Sequence, residues 1–172
     1  EDVVALAQAA QQGGADAVIM MGRFLGMVPD IDTQAPILGT SAALGGPWAL
    51  ALTARWLAMT RKVVGPDYPL IATNGARSGE DIVRFLLAGA CAVEMTSAVM
   101  AGGSRVVRES LQAFSAYLAQ RQQNASALIG LAADRLQGYA EQSARPDYWQ
   151  RFVSAEARSI QIDEQSSPPT NE

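Results

Sequence analysis

The stretch PLIATNG, residues 69–75, decides the fold class. Its first five residues form an apolar run typical of a strand buried on both faces, and Asn74-Gly75 is a turn signal. Two similar runs, Ala17–Met21 and Cys91–Met95, also precede small or polar residues. Helical patterns separate the three runs, and alternating strands and helices predict a parallel sheet with right-handed crossovers. The sequence therefore predicts an α/β fold.

Helices are predicted before, between and after these strands. The expected bounds are Glu1–Gln12, Pro47–Val64, Ser78–Gly89 and Arg105–Gln120, followed by Ser126–Gln142 and Asp147–Ala155. Ser78 is the expected N-cap of its helix, with Asp81 three residues on as a variant of the capping box. The tail from Gln165 onward is rich in Ser and Pro, and we expect it to be disordered.

The number of strands predicts an incomplete architecture. Three strands are far too few to close a (β/α)₈ TIM barrel, which needs eight strands and about 250 residues. We therefore expect an N-terminal segment or another chain to supply the rest. The chain does not begin with Met and its first residues already have a helical pattern, so we expect the N-terminus to be a cut end.

Composition excludes several classes of function. Hydrophobic residues make up 49% of the 172 residues and charged residues 17%, which is typical of a domain with its own core. The net charge of −4 argues against a nucleic-acid surface. The chain has no histidine, which excludes His-based metal sites and Ser-His-Asp triads, and its one cysteine excludes an internal disulfide. No apolar run reaches the roughly 18 residues that span a bilayer, and we predict a cytoplasmic protein.

In parallel α/β folds, ligands bind at the carboxyl ends of the strands. Three predicted loops qualify, namely Gly22–Gly46, Asn74–Ser78 and Thr96–Ser104. Asn74-Gly75-Ala76 would let the backbone approach a phosphate closely, and Thr96 and Ser97 would add hydroxyl donors. The alternative is that Asn-Gly is simply a tight turn.

Other residues near the strand ends have weaker signals. Arg23 and Arg77 could each bind a phosphate or a carboxylate, or could be solvated loop residues. We expect Cys91 to be a small buried hydrophobe, and the three tryptophans (Trp48, Trp56 and Trp149) to be packing residues. Asp30 and Asp32 lack a third ligand, so we predict no metal site.

Read together, the strand ends resemble the C-terminal part of the FMN-binding barrel family of dihydroorotate dehydrogenase and dihydropyrimidine dehydrogenase. The matching segments are Gly14–Ala17 with Gly22–Phe24, Ala43–Gly46, Pro69–Ala76 with Ser78–Asp81, and Gly89–Ala98. Their order and spacing agree with the family pattern over roughly residues 1–103. No single motif is decisive, but the four in sequence are fairly specific.

The resemblance implies that this chain helps to hold FMN. Gly45 and Gly46 would pass close to the flavin or its ribityl chain. Asn74, Gly75 and Ala76, with Thr96 and Ser97, would hold the FMN phosphate, and Gly22 and Arg23 would face the substrate.

Three positions depart from the family pattern. Gly22 stands where the family has a substrate-contacting Asn, Asn74-Gly75 where it has two glycines, and Thr96 where it has a glycine. The family's catalytic Ser or Cys base and its flavin-contacting Lys belong to the N-terminal half. We therefore predict no catalytic residue in this chain.

The sequence thus predicts part of an FMN-dependent oxidoreductase acting on a small substrate that can be cyclic. Two alternatives remain open: a non-redox phosphate-binding barrel such as a lyase or isomerase, and a non-catalytic scaffold subunit. Residues 1–123 would form the C-terminal part of the barrel, residues 124–160 a helical extension, and residues 161–172 a flexible tail. A companion chain or segment would complete the barrel, and we expect an oligomer.

Overall fold

The computed structural model describes residues 2–39 and 42–138. The helices are α1 (Asp2–Gln12), α2 (Leu50–Val64), α3 (Gly79–Leu87), α4 (Thr96–Gly102) and α5 (Arg105–Arg121). The strands are β1 (Val18–Met20), β2 (Phe24–Gly26), β3 (Ala42–Leu44), β4 (Leu70–Ala72) and β5 (Ala92–Val93). Short 3₁₀ turns occupy Pro47–Ala49, Ser126–Leu128 and Ala133–Arg135. The predicted helix Asp147–Ala155, the segment 161–172 and Trp149 lie outside the described residues.

The chain divides into a unit of residues 1–136, to which all these elements belong, and a unit of residues 137–172. Within the first unit, β1, β4 and β5 form a parallel sheet in the order β1-β4-β5. Val18 pairs with Leu70, and Ile71 pairs with Ala92. The predicted α/β class and the three parallel strands are confirmed.

Helices cover one face of this sheet. Met20 of β1, Leu57 of α2 and Phe85 of α3 belong to one core cluster, and each is at most 2% exposed. Burying a side chain of this size stabilises the fold by about 1.5–3 kcal/mol. On the other face Ile19 is 55% exposed. The prediction that β1 is buried on both faces was therefore wrong for the described residues, because the helices pack on only one side of the sheet.

The predicted loop Gly22–Gly46 contains regular structure. Strands β2 and β3 form an antiparallel hairpin in which Phe24 pairs with Leu44, and Pro29 and Pro36 form a further bridge. Near the tip, the Asp30 carboxylate accepts a hydrogen bond from the Thr33 backbone N–H at 2.8 Å. The hairpin lies between β1 and α2 in the chain, and it was missed because its two strands lie in a stretch rich in Gly, Pro and Asp, which is typical of a loop.

The predicted helix Ser126–Gln142 is wrong over its described part, which forms two 3₁₀ turns. Gly130 separates the turns with a φ of 83°, a left-handed conformation that interrupts a right-handed helix. Its N–H donates to the Leu86 carbonyl at 2.8 Å. Leu128 is 1% exposed, so this segment packs closely against α3.

A buried arginine holds the same segment to α2. The Arg61 side chain donates to both carboxylate oxygens of Asp134, at 2.9 and 3.2 Å, and to the Pro66 carbonyl at 2.8 Å. Because a two-point contact fixes both position and orientation, it sets how the segment after α5 lies against α2.

One burial prediction was wrong. Cys91 is exposed, since it precedes β5, which has a neighbour on only one side in the described sheet. Trp48 packs its ring on Phe24 of the hairpin at a centroid distance of 5.4 Å, although it is 57% exposed. Trp56 packs against the core as predicted. Among the described residues, none of the helices has the length and apolar character to span a membrane.

Candidate functional site

An open cleft of about 490 Å³ lies where the three parallel strands end. It is lined by all nine residues predicted to bind cofactor or substrate: Gly22, Arg23, Gly45, Gly46, Asn74, Gly75, Ala76, Thr96 and Ser97. These residues follow β1, precede α2, follow β4 and begin α4. The structure therefore brings together groups that are far apart in the sequence, while their individual roles stay predictions.

Five further residues line the cleft and were not predicted: Ile19, Ala43, Thr73, Glu94 and Met100. Ile19 could have been found from the alternation of β1, because it lies on the strand face opposite the buried Met20. Glu94 directly follows β5 and shares the cleft with Arg23. Arg77 is not among the lining residues. Its backbone N–H donates to the buried Asp81 carboxylate at 3.1 Å, as part of the start of α3.

Asn74 connects two of the chain segments that form the cleft. Its backbone has a φ of 68°, the left-handed conformation that Asn tolerates better than most residues. The backbone carbonyl accepts a hydrogen bond from the Thr53 hydroxyl of α2 at 2.9 Å, and the side-chain Oδ1 accepts from the Gly46 N–H at 2.9 Å. The turn after β4 is therefore hydrogen-bonded both to α2 and to the Gly45-Gly46 turn that precedes α2.

Gly75 is required by close packing against the start of α2. It has a φ of 135°, and a Cβ there would lie 2.7 Å from the Leu50 Cα and 2.8 Å from the Leu50 nitrogen. Both are backbone atoms, which cannot move without displacing the helix. The close backbone approach observed at Gly75 is to α2, and the approach to a phosphate stays a prediction.

The third strand end differs from its prediction. The expected loop Thr96–Ser104 is mostly helix, because α4 begins at Thr96 itself and ends at Gly102. Thr96 and Ser97 are both exposed in the first turn, where backbone N–H groups lack helical partners. The two hydroxyls and these N–H groups could together donate hydrogen bonds to an anion in the cleft.

The acidic residues of the hairpin serve its turn. The hydrogen bond from the Thr33 backbone N–H holds the pKa of the Asp30 carboxyl below its usual value of 3.8. Asp30 also accepts from the Asp32 backbone N–H at 3.1 Å. Across the described ranges, acidic and cysteine side chains form no group that could hold a metal ion.

Comparison with known proteins shows which proteins this chain is similar to. No protein-family model matches the sequence. The catalytic subunit of dihydroorotate dehydrogenase B (NAD(+)) from Methanocella arvoryzae is 36% identical over 132 residues, which are 76% of this chain and 43% of that protein. The corresponding subunit from Porphyromonas gingivalis is 40% identical over 95 residues, or 55% of this chain and 30% of that protein.

Two further comparisons agree. Dihydroorotate dehydrogenase A (fumarate) from Lactobacillus helveticus is 38% identical over 98 residues, covering 56% of this chain and 31% of that protein. A crystal structure of DHODH from Eimeria tenella in complex with ferulenol superimposes with a TM-score of 0.63 at 22% identity, covering 79% of this chain and 35% of that one. This structural likeness shows the fold.

The fold is thus an α/β unit with a cleft at the ends of its parallel strands. The chain is similar to the C-terminal part of the dihydroorotate dehydrogenases, and the resemblance predicted from the motifs is confirmed. The match with the Methanocella protein spans only 43% of that relative's length.

Proposed function

We propose that this chain is part of an FMN-dependent oxidoreductase of the dihydroorotate dehydrogenase kind. Its part is to hold the flavin, with the phosphate at the ends of β4 and β5. The reaction is a hydride transfer to or from a small substrate that can be cyclic. We also propose a cytoplasmic location, which rests on the same resemblance.

The observation that supports this proposal best is the common cleft. Seven residues expected to contact FMN and two expected to face the substrate come from four separate segments, yet all line one cavity. Its volume of about 490 Å³ falls in the usual range for sites that bind cofactors and other small molecules. The parallel sheet brings its strand ends to one edge, and the residue types that the FMN-binding relatives suggest are the ones found there.

The lining chemistry fits the two ends of FMN. Thr96 and Ser97 offer hydroxyl donors for a phosphate, and Gly75 keeps the backbone of the β4 turn free of side-chain bulk. Ile19 is 55% exposed and Met100 84% exposed, and both line the cleft. Exposed apolar side chains of this kind can cover the flat ring system of a flavin.

When bound, the flavin supplies the hydride chemistry, and the protein binds and orients the reactants. In this chain the Arg23 guanidinium can pair with a carboxylate or phosphate of the substrate. Gly22 offers no side-chain hydrogen bond, so the substrate contacts here differ from those that an Asn would make. Proton transfer at the substrate is assigned to residues outside this chain.

The barrel is proposed to be completed by an N-terminal segment or by another chain. A closed (β/α)₈ barrel has eight strands, so the three described parallel strands leave five to be supplied. The exposed face of β1, where Ile19 lies, is consistent with a sheet face that the rest of a barrel would cover. The relatives, of which this chain matches less than half, have the length to supply them.

The hairpin supports the proposal of an oligomer. Its strands and connection expose six large apolar side chains: Leu25, Met27, Val28, Ile31, Ile37 and Leu38. Large exposed apolar patches mark contact sites on proteins, and six such side chains in one hairpin favour a contact with another chain or segment. Two of the relatives are named as catalytic subunits.

The phosphate assignment can be tested with two flavins. We expect the double variant Thr96→Ala, Ser97→Ala to bind FMN about tenfold more weakly, corresponding to about 1.4 kcal/mol. Riboflavin lacks the phosphate and should bind as it does to the wild type. Ser115→Ala, on the exposed surface of α5, is the matched control and should change neither affinity. Equal losses for FMN and riboflavin would show that these hydroxyls do not bind phosphate.

A further inference from the structure

We infer that Asn74 is a positioning residue, whose carboxamide fixes the Gly45-Gly46 turn in the form that receives the flavin. The inference rests on the proposed function and assigns Asn74 a different task from a phosphate contact. It concerns a position at which this sequence has Asn in place of the first of two glycines.

The contact joins two turns that are 28 residues apart in the chain. The Gly46 N–H donates to the Asn74 Oδ1 at 2.9 Å. A Cβ at Gly45 would lie 2.7 Å from the same oxygen, so the carboxamide lies flat against the Gly45 backbone. Glycine at position 45 and the amide at position 74 are therefore fitted to each other.

The turn needs such a restraint. Gly46 has a φ of 147°, a backbone conformation that residues other than glycine rarely adopt, and the preceding residue, Gly45, is also a glycine. Two successive glycines leave the backbone with many accessible conformations. Fixing them before the ligand arrives lowers the entropy lost on binding, which is the general effect of preorganisation.

The Asn74 carboxamide does not present a free hydrogen-bond donor to the cleft. Its oxygen must face the Gly46 N–H, which directs Nδ2 away from that contact, and Nδ2 is buried with no hydrogen-bond partner among the described residues. In this arrangement Nδ2 is not presented to a ligand in the cleft. Asn74 consequently acts on the ligand through the turn.

Folding alone does not explain the choice of Asn. A buried donor without a partner is unfavourable, and a φ of 68° would suit glycine better. The backbone bond from the Thr53 hydroxyl to the Asn74 carbonyl does not depend on the side chain. Removing the carboxamide should thus leave the fold intact while releasing the Gly45-Gly46 turn.

The test compares Asn74→Gly with Asn74→Asp in the complete protein, using riboflavin so that no phosphate charge is present. Asn74→Gly should weaken riboflavin binding about tenfold without lowering the melting temperature of the flavin-free protein. Asn74→Asp keeps an acceptor oxygen for the Gly46 N–H and should lose less riboflavin affinity than Asn74→Gly, although its second oxygen takes the buried place of Nδ2. Gln122→Gly, at another left-handed position with a φ of 52°, is the control for backbone effects.

Each alternative result is decisive. Unchanged riboflavin affinity in Asn74→Gly, or an equal loss in Asn74→Asp, would overturn the inference. A lower melting temperature in Asn74→Gly but not in Gln122→Gly would show that Asn74 serves the fold, and would overturn it too. If the wild type binds no flavin at all, the proposed function fails first, and this inference fails with it.

Discussion

Replacing Gly75 by Ala should separate the packing of the cleft from ordinary backbone strain. A Cβ at this position would enter the backbone of Leu50, with contacts of 2.7 and 2.8 Å to Cα and nitrogen. Forcing such an overlap typically costs about 1–3 kcal/mol. The φ of 135° adds a strain of similar size for a residue with a side chain. We therefore expect Gly75→Ala to lower the free energy of unfolding by about 2–5 kcal/mol.

Gly65→Ala provides the matched control. Gly65 also has a positive φ, of 93°, but a Cβ there would meet no described atom within 4 Å. Gly65→Ala should therefore lower the free energy of unfolding through backbone strain alone, by about 1–2 kcal/mol. Urea unfolding followed by circular dichroism measures both values. Equal losses in the two variants would refute the claim that the turn after β4 packs tightly on the start of α2.

Three further predictions concern the N-cap of α3 and the contacts of Arg61 in α2. Ser78→Ala removes the hydroxyl that accepts from the Asp81 N–H and should cost about 1 kcal/mol in urea unfolding, whereas Ser78→Thr should lose less. Gly130→Ala places a methyl group against the Arg61 guanidinium at a φ of 83° and should cost about 2–4 kcal/mol; an unchanged urea midpoint would contradict this packing. The hydrogen bond from Arg61 holds the pKa of the Asp134 carboxyl below 3.8, so its stabilisation is present above the unfolded pKa and lost as the pH falls through the folded one. From about pH 5 to about pH 2 the wild type should therefore lose more stability than Asp134→Asn, and parallel curves would refute this.

Local signals predicted the elements that position the cleft. The apolar runs gave β1, β4 and β5, and the hydroxyl of Ser78 accepts from the Asp81 N–H at 3.3 Å as expected of an N-cap. Strand ends in a parallel sheet meet at one edge, which is why the candidate residues could be grouped from the sequence alone. These features depend on residues close together in the sequence.

Features that depend on tertiary contacts were missed. The bond between Gly46 and Asn74 spans 28 residues and has no local signature. The exposure of Cys91 depends on β5 having one neighbour in the described sheet, and a composition-based expectation of burial cannot take account of that. The segment after α5 has helical periodicity, but Gly130 and the contacts to α3 hold it in 3₁₀ turns.

We propose that the cleft at the strand ends holds FMN. The visible absorption spectrum of the complete protein tests this, followed by mass spectrometry of the ligand released on denaturation. We expect flavin absorption bands and the mass of FMN, at about one FMN for each copy of this chain. A complete, folded protein that has no flavin bands, releases no FMN and does not take it up when it is added would show that the cleft is not a flavin site.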